Sequence, residues 1–268
     1  MNRIAPPSVP FATHSSSFKS FGHAADSAAS LHANAGTTTR RQRPIRKAAP
    51  GIALFAPVHY ERRYAYPLLI WLHGEGSSER ELRQLMPNVS MRNYVGAAAR
   101  GVARRSSEGE RDTAGFAWPQ TDEGVDAAVD SVTECIDHAQ RRYNIHPRRI
   151  FLAGQGSGGT MALRVALQFS LPLAGALSLG GALPRGNCPL SRVNQARTLP
   201  LMLMCCRESL AYPPQDVAAD LRLLHAAGCQ LAIREYLCGD EWYTDMFTDM
   251  DQWLMEKVCG APATAAIV

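Results

Sequence analysis

After residue 50, the hydrophobic positions alternate between short uninterrupted runs and runs with a period near 3.6. Residues Leu68–Leu72 form a fully apolar run, which is typical of a strand buried on both faces. Val125, Ala128 and Val132 share one face of a helix predicted over residues 123–143. The same patterns predict strands at residues 52–57, 149–154, 173–179, 201–205 and 231–237, and helices at residues 160–168, 217–228 and 246–258.

This regular alternation predicts the fold class. Strands that alternate with helices form a mostly parallel central sheet with helices on both faces. No internal repeat is visible, and no segment is long enough for a large inserted lid. We therefore predict one α/β domain over residues 50–260.

The two ends of the chain have a different composition. Residues 1–48 are rich in Ser, Ala, Thr, Pro and His without apolar periodicity, which predicts a disordered tail. Residues 261–268 are predicted to be a disordered end. Residues 1–50 hold seven Lys or Arg and one acid, whereas the rest holds 21 basic and 23 acidic residues. The basic character belongs to the tail, so a nucleic-acid-binding domain is not expected.

The cysteines and the hydropathy pattern bear on compartment and metals. The seven cysteines are irregularly spaced, without a C-x-x-C pair or a Cys/His cluster, so we expect reduced thiols and no zinc site. No run of about 18 apolar residues predicts a membrane span, and Pro6, Pro7 and Pro10 interrupt any signal peptide. These features favour a cytoplasmic protein. An organellar transit peptide stays open, and the oligomeric state is not predicted.

Two glycine turns each follow a predicted strand. The first is Leu72-His73-Gly74-Glu75-Gly76, and the second is Gly154-Gln155-Gly156-Ser157-Gly158-Gly159. With the segments YPLLIWLHGEG, RRIFLAGQGSGGTMALRVAL, LPLMLMCC and EYLCGDEW, the domain resembles the phospholipase/carboxylesterase group of α/β-hydrolases, including its depolymerase-like esterases. The resemblance implies an α/β-hydrolase fold and serine hydrolysis of carboxylic esters or thioesters without a cofactor.

The resemblance also shows where the chain departs from that chemistry. The group's G-x-S-x-G-G turn places Gly156 at the nucleophile position, with Ser157 one residue later. Ser209 occupies the position of the family acid, and Asp240 that of the family histidine. A triad needs a nucleophile, a base and a group that orients the base. All three aligned positions hold a different side chain.

The oxyanion side of the site is expected to remain. The resemblance implies backbone donors at Ser157 and near Glu75 and Gly76, and Trp118 is a candidate for the pocket wall. At the nucleophile position we expect Gly156 to adopt a positive φ, which glycine tolerates. His73 is more simply explained as a brace for its loop than as a proton carrier.

Three functions compete at this point. The first is a pseudoenzyme that binds a small acyl, ester-like or carboxylate ligand in a retained pocket, or a protein partner. The second is an active carboxylesterase that uses Ser157 as nucleophile and Asp240 or Glu241 as base, although a carboxylate is a weak base for a hydroxyl because its pKa is near 4. The third is an interaction module that acts through the basic residues 40–47.

Overall fold

The structure, a computed structural model, describes residues 51–104, 115–186 and 190–260. The predictions for residues 1–48, for the basic run at 40–47 and for residues 261–268 lie outside these ranges. Cys188 also lies outside these ranges. The structure does not test the predictions made for these segments.

A seven-stranded sheet forms the centre of the domain. Its strands follow one another in space in the order β1-β3-β2-β6-β7-β8-β9, and all neighbours are parallel except β1 and β3. In chain order, the sheet strands are β1 (Ile52–Phe55), β2 (Tyr66–Leu72), β3 (Val95–Ala99), β6 (Ile145–Gln155), β7 (Gly175–Leu179), β8 (Leu201–Cys206) and β9 (Leu231–Tyr236). The short strands β4 (Val102–Ala103) and β5 (Phe116–Ala117) form a separate pair.

Helices connect the strands and cover both faces of the sheet. They are α1 (Leu82–Val89), α2 (Asp122–Arg142), α3 (Ser157–Gln168), α4 (Val193–Thr198), α5 (Pro214–Ala226) and α6 (Thr244–Cys259). In β2, Leu69 and Trp71 pack in the core cluster of α1 and α6, whereas Leu68 and Ile70 pack in the cluster of α2 and α3. The period-2 geometry of a strand explains this division, because successive side chains point to opposite faces.

The fold class predicted from the sequence is confirmed. The sheet is mostly parallel with helices on both faces, and no lid is inserted within the described residues. Each predicted strand and helix is present, with its ends shifted by a few residues. The helix after the second glycine turn begins at Ser157, earlier than the predicted residue 160.

The hydrophobic pattern did not predict two elements near the start of the domain. Helix α1 carries Pro87 in its interior, and a proline there ordinarily breaks a helix. Strand β3 has the sequence VGAAA, which is poor in β-branched residues, yet all five residues are buried between β1 and β2. Tertiary packing therefore stabilises both elements against their local propensity.

Among the described helices, none is long and apolar enough to cross a membrane.

Candidate active site

The second glycine turn is a sharp connection between β6 and α3. Strand β6 ends at Gln155, and α3 begins at Ser157, so Gly156 is the only residue between them. Gly156 has φ 50° and ψ −119°, which confirms the predicted positive φ. A Cβ at Gly156 would meet no atom within 4 Å, so the position faces open space.

The two glycine turns touch through Gly158. A Cβ at Gly158 would lie 2.3 Å from the carbonyl oxygens of both Leu72 and His73, closer than real Cβ contacts. Only a glycine allows the backbone of α3 to approach the end of β2 this closely. The turns that are 80 residues apart in sequence therefore meet at one edge of the sheet.

The two residues predicted to replace the family acid and histidine lie on neighbouring loops. Ser209 follows β8 and Asp240 follows β9, and parallel strands bring both loops to the same edge. The Ser209 hydroxyl donates a hydrogen bond to Asp240 Oδ1 at 2.5 Å and accepts one from the Tyr212 N–H at 2.9 Å. The structure thus brings these two predicted residues into direct contact.

A cavity of about 180 Å³ lies between these loops and the turn. Gly156 and Asp240 both contribute to its wall, together with Glu241, Trp242 and Cys206. Gly156 and Asp240, the residues predicted at the nucleophile and histidine positions, therefore share one pocket. Its wall carries two carboxylates, and the residues that line it include no Lys or Arg.

Two polar groups at this site have no partner within the described residues. The Ser157 Oγ and the Trp242 Nε1 are both buried without a hydrogen bond. Within the described ranges, no base forms a hydrogen bond with the Ser157 hydroxyl. The Trp242 indole packs edge-on against Trp71 and Phe247.

At the first glycine turn, in contrast, buried hydrogen bonds hold the backbone in place. His73 is completely buried, and its Nε2 accepts a hydrogen bond from the Gly101 N–H at 3.0 Å. Its Nδ1 therefore carries the proton and donates to the Gly74 carbonyl at 2.7 Å. Burial lowers the pKa of His73 below its ordinary value, which the hydrogen bond to Gly74 only partly opposes. His73 is a neutral structural residue here.

Neighbouring side chains complete this brace. The indole N–H of Trp71 donates to Glu81 Oε1 at 2.7 Å, and the Gly74 N–H reaches Glu81 Oε2 at 3.4 Å. The Trp118 Nε1 donates to the His73 carbonyl at 3.1 Å. Each of these polar groups is buried and satisfied, which is the usual condition of a stable core.

The predicted oxyanion and pocket residues fall in different places. Trp118 is buried in the core behind the first turn, and it is not among the residues that line the cavity. Glu75 is exposed and pairs with Arg104 at 3.4 Å. The Gly76 N–H donates to the Phe116 carbonyl at 2.9 Å. Ser157 lies at the first turn of α3, where a backbone N–H has no partner inside the helix.

Asp220 is a supporting residue that the sequence reasoning missed. It is completely buried on α5, accepts hydrogen bonds from the Leu183 N–H and the Tyr212 hydroxyl at 2.8 Å each, and contacts Arg185. Because Tyr212 also holds Ser209, Asp220 indirectly positions the Ser209–Asp240 pair. A signal was available, since Asp220 lies on the buried face of α5 with Val217 and Leu224.

No group of three or more His, Cys, Asp or Glu within the described ranges could hold a metal ion.

A mostly parallel sheet with a strand–glycine–helix elbow, and two loops that face the elbow from the next strands, defines the α/β-hydrolase class. The sequence profile of the phospholipase/carboxylesterase family matches residues 56–226. The chain belongs to the phospholipase/carboxylesterase family.

One protein is similar to this chain in sequence, and two solved structures are similar to it in fold. A protein of Nocardia uniformis subsp. tsuyamanensis, named "Putative esterase NocK", is 32% identical over 179 residues, which cover 63% of this chain and 48% of that protein. The chain thus spans about half the length of this relative. The carboxylesterase of Bacillus cereus matches with a TM-score of 0.60 at 17% identity, over 79% of this chain and 96% of that one. Acyl-protein thioesterase 2 of Zea mays matches with a TM-score of 0.59 at 17% identity, over 77% and 98%.

Proposed function

We propose that this protein is a non-catalytic member of the esterase family that binds a small, neutral acyl or ester-like ligand in the cavity beside Gly156. The observation that carries the proposal is the hydrogen-bonded Ser209–Asp240 pair facing a glycine elbow. The site keeps the arrangement of a triad but holds neither a nucleophile at the elbow nor an imidazole beside it.

The contacts of Ser157 argue against a shifted catalytic site. Its hydroxyl is buried and unpartnered, whereas a serine nucleophile is activated by a base within hydrogen-bond distance. Asp240 already accepts a hydrogen bond from Ser209. The alternative of an active esterase based on Ser157 therefore lacks a base in contact with its nucleophile.

The polar groups around the cavity favour a neutral ligand with a carbonyl. The first backbone N–H groups of α3 and the unpartnered Trp242 indole N–H are donors suited to a carbonyl oxygen. Asp240 and Glu241 would repel a free carboxylate. A cavity of about 180 Å³ is smaller than the roughly 300–1,000 Å³ of pockets for drug-sized ligands, so we expect a short acyl group.

Catalysis is tested first, by hydrolysis of p-nitrophenyl acetate and butyrate. We expect the wild-type protein to remain at the buffer rate and to resist labelling by a fluorophosphonate. The reverse triple variant Gly156→Ser/Ser209→Asp/Asp240→His should gain hydrolysis, because a side chain at Gly156 meets open space. The double variant Ser209→Asp/Asp240→His is its matched control and should stay inactive. Wild-type turnover that disappears in Ser157→Ala would contradict the proposal.

Binding is tested separately, by ligand-observed NMR with methyl butyrate. We expect saturation transfer to the ester with the wild-type protein. The variant Ala211→Trp should abolish it, because Ala211 is an exposed residue of the cavity wall whose enlargement blocks the pocket without disturbing the core. Gln215→Trp, an exposed position on α5 outside the cavity wall, serves as the control. Equal transfer with Ala211→Trp would place any binding elsewhere.

A further inference from the structure

Two cysteines lie side by side where β8 and β9 end. Cys206 is the last residue of β8, and its register partner is Tyr236, the last residue of β9. The Arg207 N–H donates to the Tyr236 carbonyl, and the Glu208 N–H donates to the Cys238 carbonyl, both at 2.9 Å. The two loops therefore stay hydrogen-bonded to each other beyond the strands, as far as Cys238. Cys206 and Cys238 belong to the same core cluster, on the face of the sheet that α6 covers.

The two thiols lie in one core cluster, packed under α6. They are close enough to affect each other's ionisation: the Cys238 thiol raises the pKa of Cys206, and the Cys206 thiol opposes the rise that burial causes at Cys238. They are free thiols with 6% and 3% of their surface exposed. Their neighbour Cys205 is equally buried but belongs to the cluster on the opposite face of the sheet.

We propose that Cys206 and Cys238 form a reversible disulfide when the protein meets a peroxide, and that this bond ties the Ser209 loop to the Asp240 loop. Ser209 lies three residues after Cys206, and Asp240 lies two residues after Cys238. The bond would therefore lock the separation of the two loops that form one side of the cavity. It is a modification site that does not depend on the proposed ligand or on the absence of catalysis.

The chemistry balances with hydrogen peroxide as the oxidant. The Cys238 thiolate attacks one peroxide oxygen, the O–O bond breaks, and a sulfenic acid and hydroxide form; the hydroxide takes up the thiol proton as water. The Cys206 sulfur then attacks the sulfenic sulfur, the S–S bond forms and the S–O bond breaks, which releases a second water. The two sulfurs together supply the two electrons that reduce the peroxide.

The surroundings set the expected order and speed of these steps. Cys206 is part of the cavity wall, which gives a molecule as small as peroxide a route to the pair. Because the neighbouring Cys206 thiol lowers the pKa of Cys238 against the effect of burial, whereas Cys238 raises the pKa of Cys206, we expect Cys238 to ionise first. Burial nevertheless raises the pKa of both thiols, so we expect oxidation to be slow at pH 7 and faster at pH 9.

The experiment is peptide mapping of the full chain after treatment with hydrogen peroxide and alkylation of the remaining thiols. Trypsin releases Cys205 and Cys206 in residues 198–207, and Cys238 in residues 235–257. We expect a cross-linked pair of these two peptides that lacks two hydrogens and separates on treatment with dithiothreitol. Fragmentation of the pair should assign the link to Cys206.

Matched variants distinguish the proposed bond from a random one. Cys205→Ser should give the cross-link in the same yield as the wild-type protein, whereas Cys206→Ser should lose it entirely. If Cys206→Ser fails to fold, the fragment assignment in the wild-type protein decides alone. A link through Cys205, only sulfinic or sulfonic acids at Cys206 and Cys238, or unmodified thiols after prolonged treatment at pH 9 would overturn the proposal.

Discussion

The two glycine turns of this protein are in direct contact, but their polar groups are in opposite conditions. At the first turn, His73, Trp118 and Glu81 are buried with their hydrogen bonds made. At the second, Ser157 Oγ and, across the cavity, Trp242 Nε1 are buried with no hydrogen-bond partner among the described residues. A buried polar group without a partner costs stability. The comparison shows one turn held by buried hydrogen bonds beside another whose buried donors are unused within the described part of the chain.

The largest expected effect comes from forcing the two turns apart. Gly158→Ala would place a Cβ 2.3 Å from the backbone oxygens of Leu72 and His73, which cannot move without shifting β2. We expect the free energy of unfolding to fall by about 3 kcal/mol, measured by urea denaturation. Gly156→Ala is the matched control, since its Cβ meets only open space and its cost is the strain of a positive φ, about 1–2 kcal/mol. Equal losses in the two variants would contradict a contact between the turns.

The next largest loss in the free energy of unfolding is expected when the hydrogen bonds of His73 at the first turn are removed. His73→Ala leaves the Gly101 N–H without its partner and opens a cavity in the core. We expect a loss of about 2–3 kcal/mol in the free energy of unfolding. His138→Ala, at an exposed position on α2, should change it by less than about 0.5 kcal/mol. A similar small change for His73→Ala would remove the distinction between the two turns.

The burial of His73 predicts that the free energy of unfolding depends on pH. Burial depresses the pKa of His73 in the folded protein below the unfolded value of 6.5, so below pH 6.5 the unfolded chain binds more protons. Stability is therefore full above pH 6.5 and falls as the pH drops toward the folded pKa, by at most about 1.4 kcal/mol per unit. Urea denaturation between pH 7.5 and 5.5 measures this slope, and the slope should be smaller in His73→Ala. An identical slope in both proteins would assign the effect to another group.

The smallest change in the free energy of unfolding is expected from removing the Ser157 hydroxyl of the second turn. Ser157→Ala removes a buried hydroxyl that has no hydrogen bond, so the free energy of unfolding should stay within about 0.5 kcal/mol of the wild type or rise slightly. Ser209→Ala is the informative control, because it removes the bonds to Asp240 and Tyr212 and should cost about 1–2 kcal/mol. A large loss in Ser157→Ala would mean that the hydroxyl is bonded after all.

The elements of the fold were largely predictable because they bury whole faces. The apolar run of β2 and the helical spacing of α2 are repeated patterns, and each follows from the geometry of one element. Helix α1 and strand β3 were missed because each contradicts local propensity, through Pro87 in one and the run of small residues in the other. Their formation depends on neighbours that are distant in the chain.

The site was predictable in its positions but not in its contacts. Gly156, Ser209 and Asp240 were singled out by resemblance, and their assignment as the altered catalytic positions remains a proposal. Three features depend on the loops after β8 and β9 and on helix α5: the 2.5 Å bond between Ser209 and Asp240, the support from Asp220 and the place of Trp242 in the cavity wall. No pattern within one segment encodes such distances.

The amino-acid sequence by itself determined the alternation of strands and helices and the glycine at the turn between β6 and α3, because each depends on residue type and short-range spacing. The tertiary structure alone decided which polar groups are satisfied. His73 finds both its partners, and Ser157 finds none within the described residues. Hydrogen bonds act over about 3 Å, so only the packing of distant segments determines whether a buried donor or acceptor meets one.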